Sequence, residues 1–158
     1  RGLAVSLVRS TGSGSRQSRG TSEMAYRFGT TSLARLDTCH PDIQLLMYEV
    51  IKHIDCSIVC GHRDKEDQDE AVAAGKSKAP WPTSKHNSVP SMAVDIMPWY
   101  PGGIRWTDRE GMYFFIGMVK GIATQMGIRI RIGIDWDGDN DMHDQGFVDG
   151  PHIELEEE

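Results

Sequence analysis

Met92-Ala93-Val94-Asp95-Ile96-Met97 sets one carboxylate inside an otherwise apolar run that stops at Pro98. The run reads as a strand, and a carboxylate buried in it is costly unless it is paired or binds a metal. Whatever fold this chain adopts must bring partners to Asp95 from elsewhere. Two histidines offer themselves: His86 in the preceding loop, with eight residues intervening, and His152 near the C-terminus. A lone histidine is more often a surface or satisfied core residue. Two of them with a carboxylate make a donor set of the kind Zn²⁺ accepts. Three protein ligands with a fourth position left for water describe a catalytic rather than a structural zinc site. Asp149 stands three residues before His152, close enough for its carboxylate to face that water. As a plain turn residue before Gly150-Pro151 it would be unexceptional.

The rest of the chain supplies a frame. Thr38 to Pro41 reads as a helix start, and Ile43, Leu46, Met47, Val50, Ile51 and Ile54 recur at helical spacing, predicting a helix over 41–54. Ser57–Cys60 is a short apolar strand ending at Gly61, and Asp64 is placed to cap a second helix that ends near Gly75. Residues 76–91 have no period and form a loop that delivers His86. Thr107 and Glu110 make a capping box for the longest helix, whose apolar stripe runs from Met112 to Met126 before Gly127. Ile128, Ile130, Ile132, Ile134 and Trp136 alternate with polar residues or glycine, which predicts one half-buried strand over 128–136. His152–Leu155 is a last short strand. The pattern predicts an α+β domain, with one layer of helices on a small antiparallel or mixed sheet.

At 158 residues the chain fits one such domain, and no apolar run approaches membrane-spanning length. A net charge of −6 argues against a nucleic-acid partner. Residues 1–23 are rich in Ser, Gly and Arg, and they read as a disordered or non-native extension upstream of a domain over 24–158 that starts at Met24. Leu3–Val8 is too short for a secretory signal core, so synthesis in the cytoplasm is expected. Cys39, Cys56 and Cys60 form no even disulfide set and read as free thiols. Asp135, Asp137, Asp139 and Asp141 alternate, but Asn140 and Gly146 occupy the positions where an EF-hand needs Gly and Glu. A solvated acidic loop is the first reading there, and a Ca²⁺ site the second.

Ser84-x-His86, Ala93-Val94-Asp95 and Asp149-x-x-His152-x-Glu154-Leu155, with Gly61-His62-Arg63 to Gln68 upstream, resemble the zinc D-alanyl-D-alanine peptidases of the VanX and VanY kind. The chain is more similar still to the L-alanyl-D-glutamate peptidases of phage endolysins. The resemblance covers roughly Phe28 to Leu155 in matching order, and the phage-type variant shares the long His86–Asp95 loop. It implies the α+β fold of Hedgehog and D,D-peptidase domains, with a single Zn²⁺ held by His86, Asp95 and His152. By the same resemblance Asp149 moves the proton, Arg63 polarises the scissile carbonyl, and Ser84 and Gln68 lie near the substrate. The implied substrate is the peptidoglycan stem peptide, cut at the L-alanyl-D-glutamate bond, with D-alanyl-D-alanine termini as the alternative. A monomer made in a bacterial host and acting on the wall after release is expected. Two rival readings remain: an Fe(II) oxygenase, since two histidines and a carboxylate also suit iron, and a catalytically silent zinc-containing binding module.

Overall fold

The structure, a computed structural model, describes residues 26–156. The reading of residues 1–23 as an extension lies outside them. Helices α1 (Thr30–Leu36) and α2 (Pro41–Val50) precede strand β1 (Cys56–Cys60) and helix α3 (Lys65–Ala73). Strand β2 (Ala93–Pro98), the long helix α4 (Arg109–Met126) and strands β3 (Ile130–Ile132) and β4 (His152–Leu155) complete the order. The four strands form one sheet in the order β1-β2-β4-β3, antiparallel at every pairing. The expected α+β class is therefore met, and of the two sheet types the antiparallel one is present.

Side chains alternate across a strand, so register decides what each face carries. Val94 pairs with Ile153 and Ile153 with Ile132, an apolar row across three strands. Those residues join Ile96, Phe115, Ile116 and Val119 in the buried core. Helix α4 packs on β2 and β3, and α2 packs on α4. On the other face Asp95 pairs with His152 and Cys60 with Asp95, while Arg131 and Ala93 flank Glu154. One sheet thus has an oily side against helices and a side crowded with ionisable groups.

Several local expectations change. His40, not Thr38, caps α2: its Nδ1 accepts from the Asp42 amide at 3.2 Å, while Thr38 Oγ1 accepts from His62 N. Asp108 caps α4 through the Gly111 amide, so the Thr107–Glu110 box does not form. The strand predicted over 128–136 pairs only at Ile130–Ile132. Beyond it the chain turns, with Asp135 N donating to Ile132 O, and Ile134 and Asp135 are both buried. The alternation breaks because the Asp135 carboxylate is neutralised by Lys120 at 2.9 Å instead of facing water. Helix α1 had no sequence signal; it is short and buries only Ser32 and Leu36. No helix among the described residues is long and apolar enough to cross a membrane.

Phe115 is fully buried on α4 at the centre of this core. Phe115→Ala should lower unfolding free energy by about 3–5 kcal/mol, read as a reduced urea midpoint at unchanged m-value.

Candidate metal centre and active site

Strand register brings the three expected ligands together. Asp95 and His152 are directly opposed on β2 and β4. His86 arrives from a single 3₁₀ turn, Lys85–Asn87, whose capping box between Ser84 and Asn87 fixes the backbone around it. His86 Nε2 lies 3.1 Å from Asp95 Oδ1 and 3.2 Å from His152 Nδ1, and His152 Nδ1 lies 3.2 Å from the same Oδ1. A tetrahedral ion with bonds of about 2.0 Å separates its ligands by about 3.3 Å. The near-equilateral triangle of two nitrogens and one oxygen fits that requirement, so the donor set suits Zn²⁺ in both chemistry and spacing.

Each candidate ligand is also held from behind, as metal-binding histidines require. His86 Nδ1 meets Gly61 O at 2.7 Å, which leaves Nε2 for the metal. Gly61 must be glycine, since a Cβ there would lie 2.3 Å from Arg35 O. His152 Nε2 meets Glu154 Oε2 at 2.9 Å, and Arg131 hydrogen-bonds to the other oxygen of Glu154. Arg63 reaches Asp95 Oδ2 at 3.3 Å. Glu154 was legible only as part of a motif; its role follows from standing two residues after His152 on the same strand face.

Charge explains the titration behaviour. Burial alone would raise the Asp95 pKa, but the two imidazoles outweigh it and hold the carboxyl far below the usual range. Burial would lower both histidines, and Asp95 reverses that, with Glu154 assisting at His152, so both lie above the ordinary imidazole value. Asp149 has a ligand-type oxygen within 4.8 Å of those of Asp95 and His152. Burial first, and the Asp95 charge second, raise its pKa above the usual carboxylate range, which suits a group that must accept a proton.

The centre opens into a cleft of about 380 Å³ that Arg63, Ser84, His86, Asp149 and His152 all line. Gln68, expected beside the substrate, is instead wholly buried. Its Oε1 accepts from Arg63 Nη1 at 3.1 Å and its Nε2 donates to Ala79 O at 2.6 Å, so it orients Arg63 and the 77–79 segment. Trp136 and Phe147, stacked at 6.2 Å between ring centroids, form an aromatic wall, and Trp136 lies 5.3 Å from the His152 ring. Neither was singled out for function, because ten residues of loop separate them and no period links them. Cys60, expected as a buried strand thiol, is half-buried and close enough to His86 and Asp95 to share an ion with them. Asp135, Asp137 and Asp139 also converge, although Lys120 already neutralises the first. His40, His53, His62 and His143 belong to none of the metal-competent groups found among the described residues.

This chain resembles known proteins in both sequence and fold. The family model described as phage L-alanyl-D-glutamate peptidase matches residues 24–156. The L-alanyl-D-glutamate peptidase of Escherichia phage T5 is 31% identical over 137 residues, spanning 84% of this chain and 99% of its own. The crystal structure of Serratia marcescens L-Ala D-Glu endopeptidase ChiX aligns with a TM-score of 0.63 at 25% identity, covering 86% of this chain and 94% of that one.

Two outcomes follow for the metal-free protein. Ligand histidines with raised pKa values must lose protons to bind a cation, so Zn²⁺ uptake should release protons and affinity should fall as pH drops through neutrality. Calorimetry in buffers of different ionisation enthalpy reads both effects. Glu154→Gln should weaken Zn²⁺ binding roughly 10–100-fold in a chelator competition, with the circular dichroism spectrum unchanged.

Proposed function

This chain belongs to the phage L-alanyl-D-glutamate peptidase family, and from that membership we propose that it hydrolyses the amide between L-alanine and D-glutamate in peptidoglycan stem peptides. It is a peptidase of the bacterial wall, and its substrate is peptidoglycan. The observation that carries the reading is the triangle of His86 Nε2, Asp95 Oδ1 and His152 Nδ1 beside the raised-pKa carboxylate of Asp149, with His86, His152 and Asp149 lining the cleft. We assign Zn²⁺ to the triangle.

When bound, the ion supplies Lewis acidity and brings the pKa of water at the site towards ~7. Asp149 takes the proton of the attacking water as oxygen bonds to the carbonyl carbon. Arg63, held by Gln68 and Asp95, points charge at the carbonyl oxygen as negative charge develops there. The carbon–nitrogen bond then breaks, and Asp149 returns its proton to the departing amine of D-glutamate. Ser84 lines the same cleft, and its Oγ already accepts from His86 N at 3.3 Å, so its support is for positioning the histidine as much as for substrate. Both named relatives are described as acting at L-alanyl-D-glutamate, which favours that bond over D-alanyl-D-alanine. Calcium at Asp135–Asp139 has weaker support, because an added cation would compete with Lys120 for Asp135. Release to the wall from a host cytoplasm, and a monomeric state, are the remaining parts of this reading.

Purified protein loaded with Zn²⁺ should release fragments from defined muropeptides with a new amino terminus at D-glutamate, identified by mass spectrometry. Cleavage confined to D-alanyl-D-alanine would move the assignment to that bond, and no cleavage of either would reject it. Asp149→Ala should retain metal and lose about 10²–10⁴-fold in kcat.

A further inference from the structure

The chain carries a net charge of −6, yet the walls of its catalytic cleft concentrate Arg63, Lys76, Lys78, Lys85 and Arg131 against the acids Asp149 and Glu154. Arg63 faces Asp95, and Arg131 faces Glu154. Lys78 is different. Its ammonium lies 4.6 Å from the centroid of the Phe147 ring, a partner that orients a cation without neutralising it. Its backbone is pinned on both flanks, because Gln68 Nε2 donates to Ser77 Oγ at 3.0 Å and to Ala79 O at 2.6 Å. Lys85 stands on the same turn as His86, half-buried, and also lines the cleft. A positively lined, partly dehydrated cleft in an acidic protein selects for a negatively charged ligand.

The proposed substrate has such a group beside the bond to be cut. A D-glutamyl residue enters its next peptide bond through one carboxyl and keeps the other. We propose that Lys78 binds this free carboxylate, so that the enzyme selects stem peptides with an unmodified glutamate over those in which it is amidated. Amidation replaces the anion by a neutral carboxamide of nearly the same shape, so discrimination rests on charge and on the stronger charge-assisted hydrogen bond. The inference rests on the reading of the reaction given above and adds the determinant of substrate choice.

The test uses two synthetic peptides containing the L-alanyl-D-glutamyl bond, identical except that one has the free carboxylate and the other the carboxamide. Wild type should cleave the carboxylate peptide with a kcat/KM at least roughly tenfold higher, the difference residing mainly in KM and shrinking as salt is added. Lys78→Gln should raise KM for the carboxylate peptide more than for the carboxamide peptide and so narrow the preference, while Lys78→Arg should keep it. Equal cleavage of both peptides by wild type, or a preference that survives Lys78→Gln, overturns the inference and leaves the peptidase reading intact. Failure to cleave either peptide overturns both.

Discussion

Asp95 is the constraint around which this molecule is arranged. A carboxylate in a strand whose neighbours Val94 and Ile96 are fully buried would shed its charge or unfold the strand if left unpaired. Instead Oδ1 faces two imidazoles and Oδ2 faces Arg63. Those partners come from a loop, from the last strand and from the segment after β1, so three distant parts of the chain converge on one side chain. Opposed charges and shared hydrogen bonds hold the cluster together.

The same logic runs outward through β4 and β3. His152, Glu154 and Arg131 form a chain of alternating charge, from ligand to carboxylate to guanidinium, along one face of the sheet. Burial would raise the Glu154 pKa, but His152 and Arg131 bring it below the ordinary value, so it stays an anion. An anion behind a histidine fixes its tautomer and makes it a better donor. Arg131 in turn lies over Trp136, at 5.5 Å from the ring centroid, and Trp136 packs beside His152. The aromatic wall of the cleft and the back of the metal site are thus one packed unit.

Much of this was readable from residue order. Asp95 in an apolar run announces a buried charge, and the two histidines with Asp149 supply its chemistry, because short motifs in strands translate directly into geometry. What could not be read depends on pairing between distant segments. Glu154 gains its role from the parity of β4, and Cys60 reaches the site because a register irregularity between Ile58 and Cys60 sets it opposite Asp95. Gln68 matched a substrate-side position in the motif, yet the helix start at Asp64 turns it inward to hold Arg63. Trp136 looked like the end of a strand because alternation alone does not reveal a buried aspartate with a lysine partner. Helix α1 escaped notice because seven residues with two buried side chains leave no periodic signal.

The position of Asp149, the proposed base, depends in the end on a residue with no side chain. Gly133 donates its amide to His152 O at 2.8 Å and accepts from Asp149 N at 2.8 Å. A Cβ at that glycine would lie 2.1 Å from Asp149 O and 3.0 Å from His152 Cβ, closer than atoms tolerate. The proposed base and the third candidate ligand therefore hang from one residue, through backbone bonds that do not sample rotamers. A base that must meet water at a metal within a fraction of an ångström gains that precision by being tied to the ligand through main chain.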